Sequence, residues 1–154
     1  MDVVCGKWNC KCILKQEDED MIKVYSNIIP AAGFKAMTIW PFLFVRKKAV
    51  QNGLFNETDE RHEEIHGEQQ KEMLFIGFML AAVMAVTNFG WWSLLALPLF
   101  FWWYGIEWFI KACYYGNATT AYKNISFERE AYAHQHQLDY LFYRNPFAWF
   151  RYIK

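Results

Sequence analysis

Hydropathy divides the chain into blocks of unlike character. Met1 to Asp20 is polar and closes on the acidic run Glu17-Asp18-Glu19-Asp20, the pattern of a flexible tail rather than of a cleavable leader. From Met21 to Val45 short β-prone runs (Ile22-Lys23-Val24-Tyr25, Thr38-Ile39-Trp40, Phe42-Leu43-Phe44-Val45) alternate with Pro30, Gly33 and Pro41. This predicts a small strand or hairpin, with a role as an edge strand beside the next helix. Ala36 to Val45 is almost wholly apolar, so a membrane-surface or re-entrant segment fits the same residues. Arg46-Lys47-Lys48 returns the chain to water, and Gln51-Asn52-Gly53 reads as a turn.

A long helix is predicted to begin near Asn56 or Thr58. At 100° per residue His62, Ile65, His66, Gln69 and Met73 form one inward stripe, while Glu64, Glu68 and Lys71 fall opposite. From Met73 to Ala112 the polar side chains, small hydroxyls aside, are Asn88, Glu107 and Lys111. At about 20 residues per crossing this predicts a transmembrane hairpin, about 72–89 and 91–112, turning at Thr87-Asn88-Phe89-Gly90. Trp91 and Trp92 would mark the far interface, and Trp102, Trp103, Tyr104 and Trp108 the near one. Beyond it, Ser126 is a good amino-terminal cap for an amphipathic helix from Phe127 to about Tyr143. Phe127, Ala131, His134, Leu138, Leu141 and Phe142 make its apolar stripe, and Glu128, Tyr132, Gln135 and Asp139 line the edge. Glu130 projects away from that stripe.

Composition sharpens the membrane expectation. The 154 residues are 20% aromatic, with eight Trp and fourteen Phe, more than a soluble core of this size needs. Ten Lys and Arg precede Met73 and six follow from Lys111 onward, while the predicted turn has none, so both termini are expected in the cytoplasm. A formal net charge of zero argues against a nucleic-acid partner. Of the four cysteines, Cys5, Cys10 and Cys12 would stay reduced there, and their spacing is not that of a standard zinc knuckle; Cys113 stands alone.

The chemistry lies in His62-Glu63-Glu64-Ile65-His66. Two histidines four apart on one helix face can hold one zinc ion, with Glu63 beside them as general base. Catalytic zinc needs a third protein ligand and an open position for water. Glu107, Glu128, Glu130, His134 and His136 compete for that place, and Glu128 ranks first because it lies at the edge of the inward stripe. Glu107 would instead pair with Arg129 or a histidine. Gln69 and Gln70 suit hydrogen bonds that orient the imidazoles, Asp139 could steady a ligand, and Tyr132, His134 or His136 could stabilise an oxyanion.

The arrangement resembles the integral-membrane gluzincin peptidases, namely the CAAX prenyl protease and bacterial heat-shock membrane protease group, and the β-lactam-sensing antirepressor peptidases. His62-Glu63-Glu64-Ile65-His66 matches their first element, and Phe127-Glu128-Arg129-Glu130-Ala131-Tyr132 resembles the second, with Tyr132 where the prenyl-protease pattern has an aspartate. The resemblance implies zinc bound by His62, His66 and Glu128, with catalysis by Glu63 and Tyr132. The expectation is therefore a mainly α membrane protein, with a transmembrane hairpin between an HExxH helix and a C-terminal amphipathic helix and a small β element near the N-terminus. Residues 1–20 would be a tail and 21–154 one membrane-embedded domain acting as a zinc-dependent peptidase. Its partners would be the lipid bilayer, a protein or peptide substrate, and a homo-oligomer or larger membrane complex. The alternatives are a non-catalytic membrane adaptor or assembly protein with a structural metal or ion-paired His/Glu site, and a hydrolase of lipid or small-molecule amides.

Overall fold

The computed structural model describes residues 21–30 and 33–154, so the expected tail with Cys5, Cys10 and Cys12 lies outside the described residues. The rest is mainly helical with one small sheet. Strands β1 (Ile22–Ser26), β2 (Ala36–Ile39) and β3 (Phe42–Arg46) assemble in the order β1-β3-β2, with β1 parallel and β2 antiparallel to β3. Leu43 and Val45 alternate inward with Ala36, and Met21 and Phe55 close this small core. The β-prone runs are thus strands. Edge strand β2 lies against the motif helix, as the expected edge-strand role requires.

After a short helix α1 (Lys47–Gln51), helix α2 runs unbroken from Glu57 to Val86, about 45 Å at about 1.5 Å per residue. Asn56 starts it through a capping box. Its side chain accepts from the N–H groups of Thr58 and Asp59 at 2.9 and 3.0 Å, and Asp59 accepts from the Asn56 N–H at 3.1 Å. Glu57, Asp59 and Glu60 complement the positive end of the helix dipole. Lys35 and Lys23 tie the sheet to this first turn through Asp59 and Glu60.

Asn88 and Gly90, both at positive φ, reverse the chain at the predicted turn. The expected second arm is not one straight helix. A 3-10 helix, Gly90–Ala96, leads through Leu97 and Pro98 into α3 (Leu99–Tyr115) at a bend of 63°. Pro98 has no N–H to continue the hydrogen-bond ladder, which accounts for the break. Among the described residues, one helix, α2, is long and apolar enough to cross a membrane by itself. Only 22% of its most apolar window is buried, unlike a core helix of a soluble protein.

The C-terminal region also departs from expectation. Instead of one helix from Phe127 to Tyr143, the chain forms α4 (Ala118–Lys123), α5 (Ser126–His134), a short α6 (Tyr140–Tyr143) and a 3-10 turn, Ala148–Tyr152. No Pro or Gly stops α5; a tertiary contact does. Arg61 of α2 donates to the Gln135 carbonyl at 2.9 Å, satisfying an orphan group at the helix end. Ser126 is the first helical residue rather than the cap. Phe127 stacks on Phe100 and meets Trp149, and with Met73 and Ile125 these form the main core.

Candidate metal centre

His62 and His66 are buried one turn apart on α2, and α5 brings Glu128 against both. His62 Nε2 lies 3.3 Å from Glu128 Oε2, His66 Nε2 lies 3.2 Å from Oε1, and the two Nε2 atoms are 3.2 Å apart. Of the five candidates for third ligand, Glu128 is the one that lies against both imidazoles. Among the described residues no fourth His, Cys, Asp or Glu joins the group.

Hydrogen bonds orient both rings. The Gln69 Nε2 amide donates to the Phe127 carbonyl at 3.1 Å and to Glu130 Oε2 at 3.0 Å, and neither partner can donate in return. The amide is thereby locked with Oε1 toward His66, whose Nδ1–H donates to it at 2.7 Å. The His66 Nε2 is turned toward Glu128 Oε1, 3.2 Å away. His62 Nδ1 makes the equivalent contact with Gln135 Oε1 at 3.1 Å. Two imidazole nitrogens and a carboxylate thus converge, and Glu128 Oε2 is buried without a hydrogen bond; burial opposes charge on His66, but the adjoining Glu128 carboxylate outweighs it and raises the imidazole to about 9, so without a metal a proton sits between them. Such a triangle is repulsive unless a proton or a cation sits in it. Two imidazole nitrogens and a carboxylate oxygen, each oriented from behind, fit a divalent metal ion and leave a coordination position open.

Burial alone would push the Glu128 carboxyl up, but the adjoining imidazoles hold it well below the usual carboxylate range, so it is an anion. Tyr104 donates to its Oε1 at 2.9 Å. The Tyr132 ring lies tilted against His62, ring centroids 4.7 Å apart. Burial first, then the Glu128 charge, raise the hydroxyls of Tyr122 and Tyr132, keeping both as donors at neutral pH. Glu63 takes a hydrogen bond from the Thr38 hydroxyl of β2 at 2.8 Å and lines a cavity of about 390 Å³ together with His66 and Glu128.

Other candidates go elsewhere. Glu107 pairs with Lys111 at 2.8 Å and accepts from the Ser126 N–H and hydroxyl at 2.9 and 2.6 Å, anchoring the start of α5 rather than meeting Arg129 or a histidine. Arg129 binds the Tyr152 carbonyl instead. Glu130 does not project away: it is fully buried, bound by Gln69, Tyr140 and Arg144. The periodicity went wrong there because α6 and the C-terminal turn cover the face that a straight helix would expose. His134 hydrogen-bonds Tyr152 and Gln137 and stacks on Tyr140, His136 is exposed, and Asp139 is exposed in the loop before α6. Thr38 and Tyr104 were missed by sequence reasoning. Thr38 carried no signal beyond its β-prone run, and Tyr104 read as an interfacial aromatic.

Comparison with protein-family models, with curated proteins and with solved structures gave no match.

Proposed function

We propose that the chain is a zinc-dependent hydrolase held at a membrane, acting as a peptidase at the cytoplasmic face. The buried group of His62, His66 and Glu128 carries this reading, because both Nε2 atoms and the carboxylate face one another within ligand distance of a shared ion, which would take the place of the proton on His66. When bound there, zinc supplies Lewis acidity and brings the pKa of a coordinated water to about 7. Glu63, held by Thr38 on the cavity side, takes the proton of the attacking water and returns it to the leaving nitrogen. Tyr132 or Tyr122, kept protonated, donates to the carbonyl oxygen as it gains charge.

An extended substrate is supported by β2. Arg46 N–H donates to the Lys35 carbonyl, so pairing with β3 uses the backbone groups of Met37 and Ile39 and turns those of Ala36 and the Thr38 N–H to the open edge, the Thr38 carbonyl being taken by Gln70. That edge lines the cavity beside Glu63. A peptide added there would present a carbonyl to the site.

The membrane part of the reading rests on where apolar side chains sit. Phe75, Phe78 and Val83 of α2, Trp91 and Trp92 at the turn, and Ile106 and Phe109 of α3 are all exposed, and no charged residue occurs between Met73 and Ile106. Such a patch matches lipid contact with both flanks on one side.

The test uses the full chain purified in detergent, with zinc content measured alongside cleavage of a quenched fluorescent peptide library. Glu63→Gln should keep its zinc and lose about 10²–10⁴-fold in turnover. Zinc binding without turnover by the wild type would instead favour a structural site.

A further inference from the structure

Three glycines lie inside the long helices, and two of them, Gly77 and Gly105, have opposite surroundings. A Cβ on Gly77 of α2 would come within 2.4 Å of the Ala96 carbonyl oxygen, so packing of the return arm requires it. A Cβ on Gly105 of α3 would meet nothing within 4 Å. Gly105 is thus unexplained by packing, although a helix interior is the place where glycine costs most backbone entropy. Its neighbours on either side and one turn away are the bulky Tyr104, Ile106, Phe101 and Trp108.

Gly105 shares one face of α3 with Phe101, Tyr104 and Trp108, and that face is a wall of the cavity of about 390 Å³ that ends at Glu63, His66 and Glu128. Phe34 and Met37 form the opposite wall. The cavity is within the size range of ligand pockets, with apolar walls and polar groups gathered at the metal-ligand end. We propose that Gly105 is a specificity-determining residue, holding open a subsite for a large apolar side chain of a peptide substrate. The inference rests on the metallopeptidase reading and adds the substrate class. The missing side chain leaves room between Phe101 and Trp108, and the β2 edge delivers alternate residues of an extended chain to the same space.

The test measures binding by calorimetry to the zinc-loaded full chain in detergent, for wild type, Gly105→Ala and Gly105→Leu. The probes are acetohydroxamate, naphthylalanine hydroxamate and octanoyl hydroxamate. Both substitutions suit a helix and have open space, so zinc content and helicity should be unchanged. The wild type is expected to prefer the naphthyl probe to acetohydroxamate. Gly105→Leu should weaken the naphthyl probe by about 10-fold or more, the discrimination that apolar pockets give for a methylene or two, and leave acetohydroxamate unchanged. Equal ranking of the probes by wild type and Gly105→Leu overturns the proposal while leaving the metal site intact. An octanoyl probe bound most tightly and lost in Gly105→Leu overturns the peptide assignment in favour of an acyl chain. A wild type that binds zinc but not acetohydroxamate removes the open coordination position, and the proposal falls with it.

Discussion

Glu128 and Glu130 are two residues apart on the same short helix and both are buried, yet their surroundings are of opposite kinds. Around Glu130 every oxygen has a donor: Tyr140 at 2.9 Å, the Gln69 amide at 3.0 Å, and the Arg144 guanidinium, which also binds Glu72. Around Glu128 the opposing groups are two imidazole nitrogens, one oxygen accepts from Tyr104, and the other makes no hydrogen bond. The first carboxylate is fully satisfied within the fold; the second belongs to a group that could hold a metal ion. Gln69 belongs to both regions, since the bonds that fix its amide come from the Glu130 side and the ring it orients serves the Glu128 side.

The contrast breaks most severely at Arg144. Replacing it by Ala leaves buried Glu130 and partly buried Glu72 without their cation, so chemical denaturation should show a loss of about 3–5 kcal/mol with or without metal. Glu128→Gln should act in the opposite way. The metal-free protein should lose less than the Arg144 variant, because Gln still accepts from Tyr104 and an uncharged His66 needs no counter-ion, while the gain from added zinc, about 4 kcal/mol at a thousandfold excess over Kd in the wild type, should vanish. An equal loss in metal-free Glu128→Gln would mean that the two carboxylates do the same job. Gln69→Met keeps the volume but frees the His66 ring; zinc affinity should fall about 10–100-fold, and the ¹⁵N shifts of His66 should report the freed ring. Smallest is Tyr104→Phe, which removes one hydrogen bond to Glu128 and should shift stability by about 1 kcal/mol with zinc retained.

How far such a site can be read from residues alone depends on whether its parts are periodic. His62, His66, Gln69 and Met73 share a stripe because a helix repeats every 3.6 residues, and Asn56 announces where that helix starts. Glu128 followed from the same arithmetic. Glu130 did not, because its partner Arg144 comes from beyond a helix end made by Arg61, a contact 74 residues away in sequence that leaves no local mark. The strands were legible as β-prone runs, but not the Thr38 bond to Glu63, which depends on how the sheet docks. The turn at Thr87 to Gly90 was visible in its residues, whereas Pro98 was read through as part of one arm although it breaks the return helix.

Gln70 also deserves a place in this picture, because its carboxamide accepts from the Trp40 N–H and donates to the Thr38 carbonyl, each at 2.8 Å. These are the two bonds that a peptide unit of a neighbouring strand would make. A side chain therefore impersonates backbone and seals one end of β2 against further pairing. Any chain laid along this edge must part from it at Thr38, and two copies of the protein cannot zip their sheets together through it.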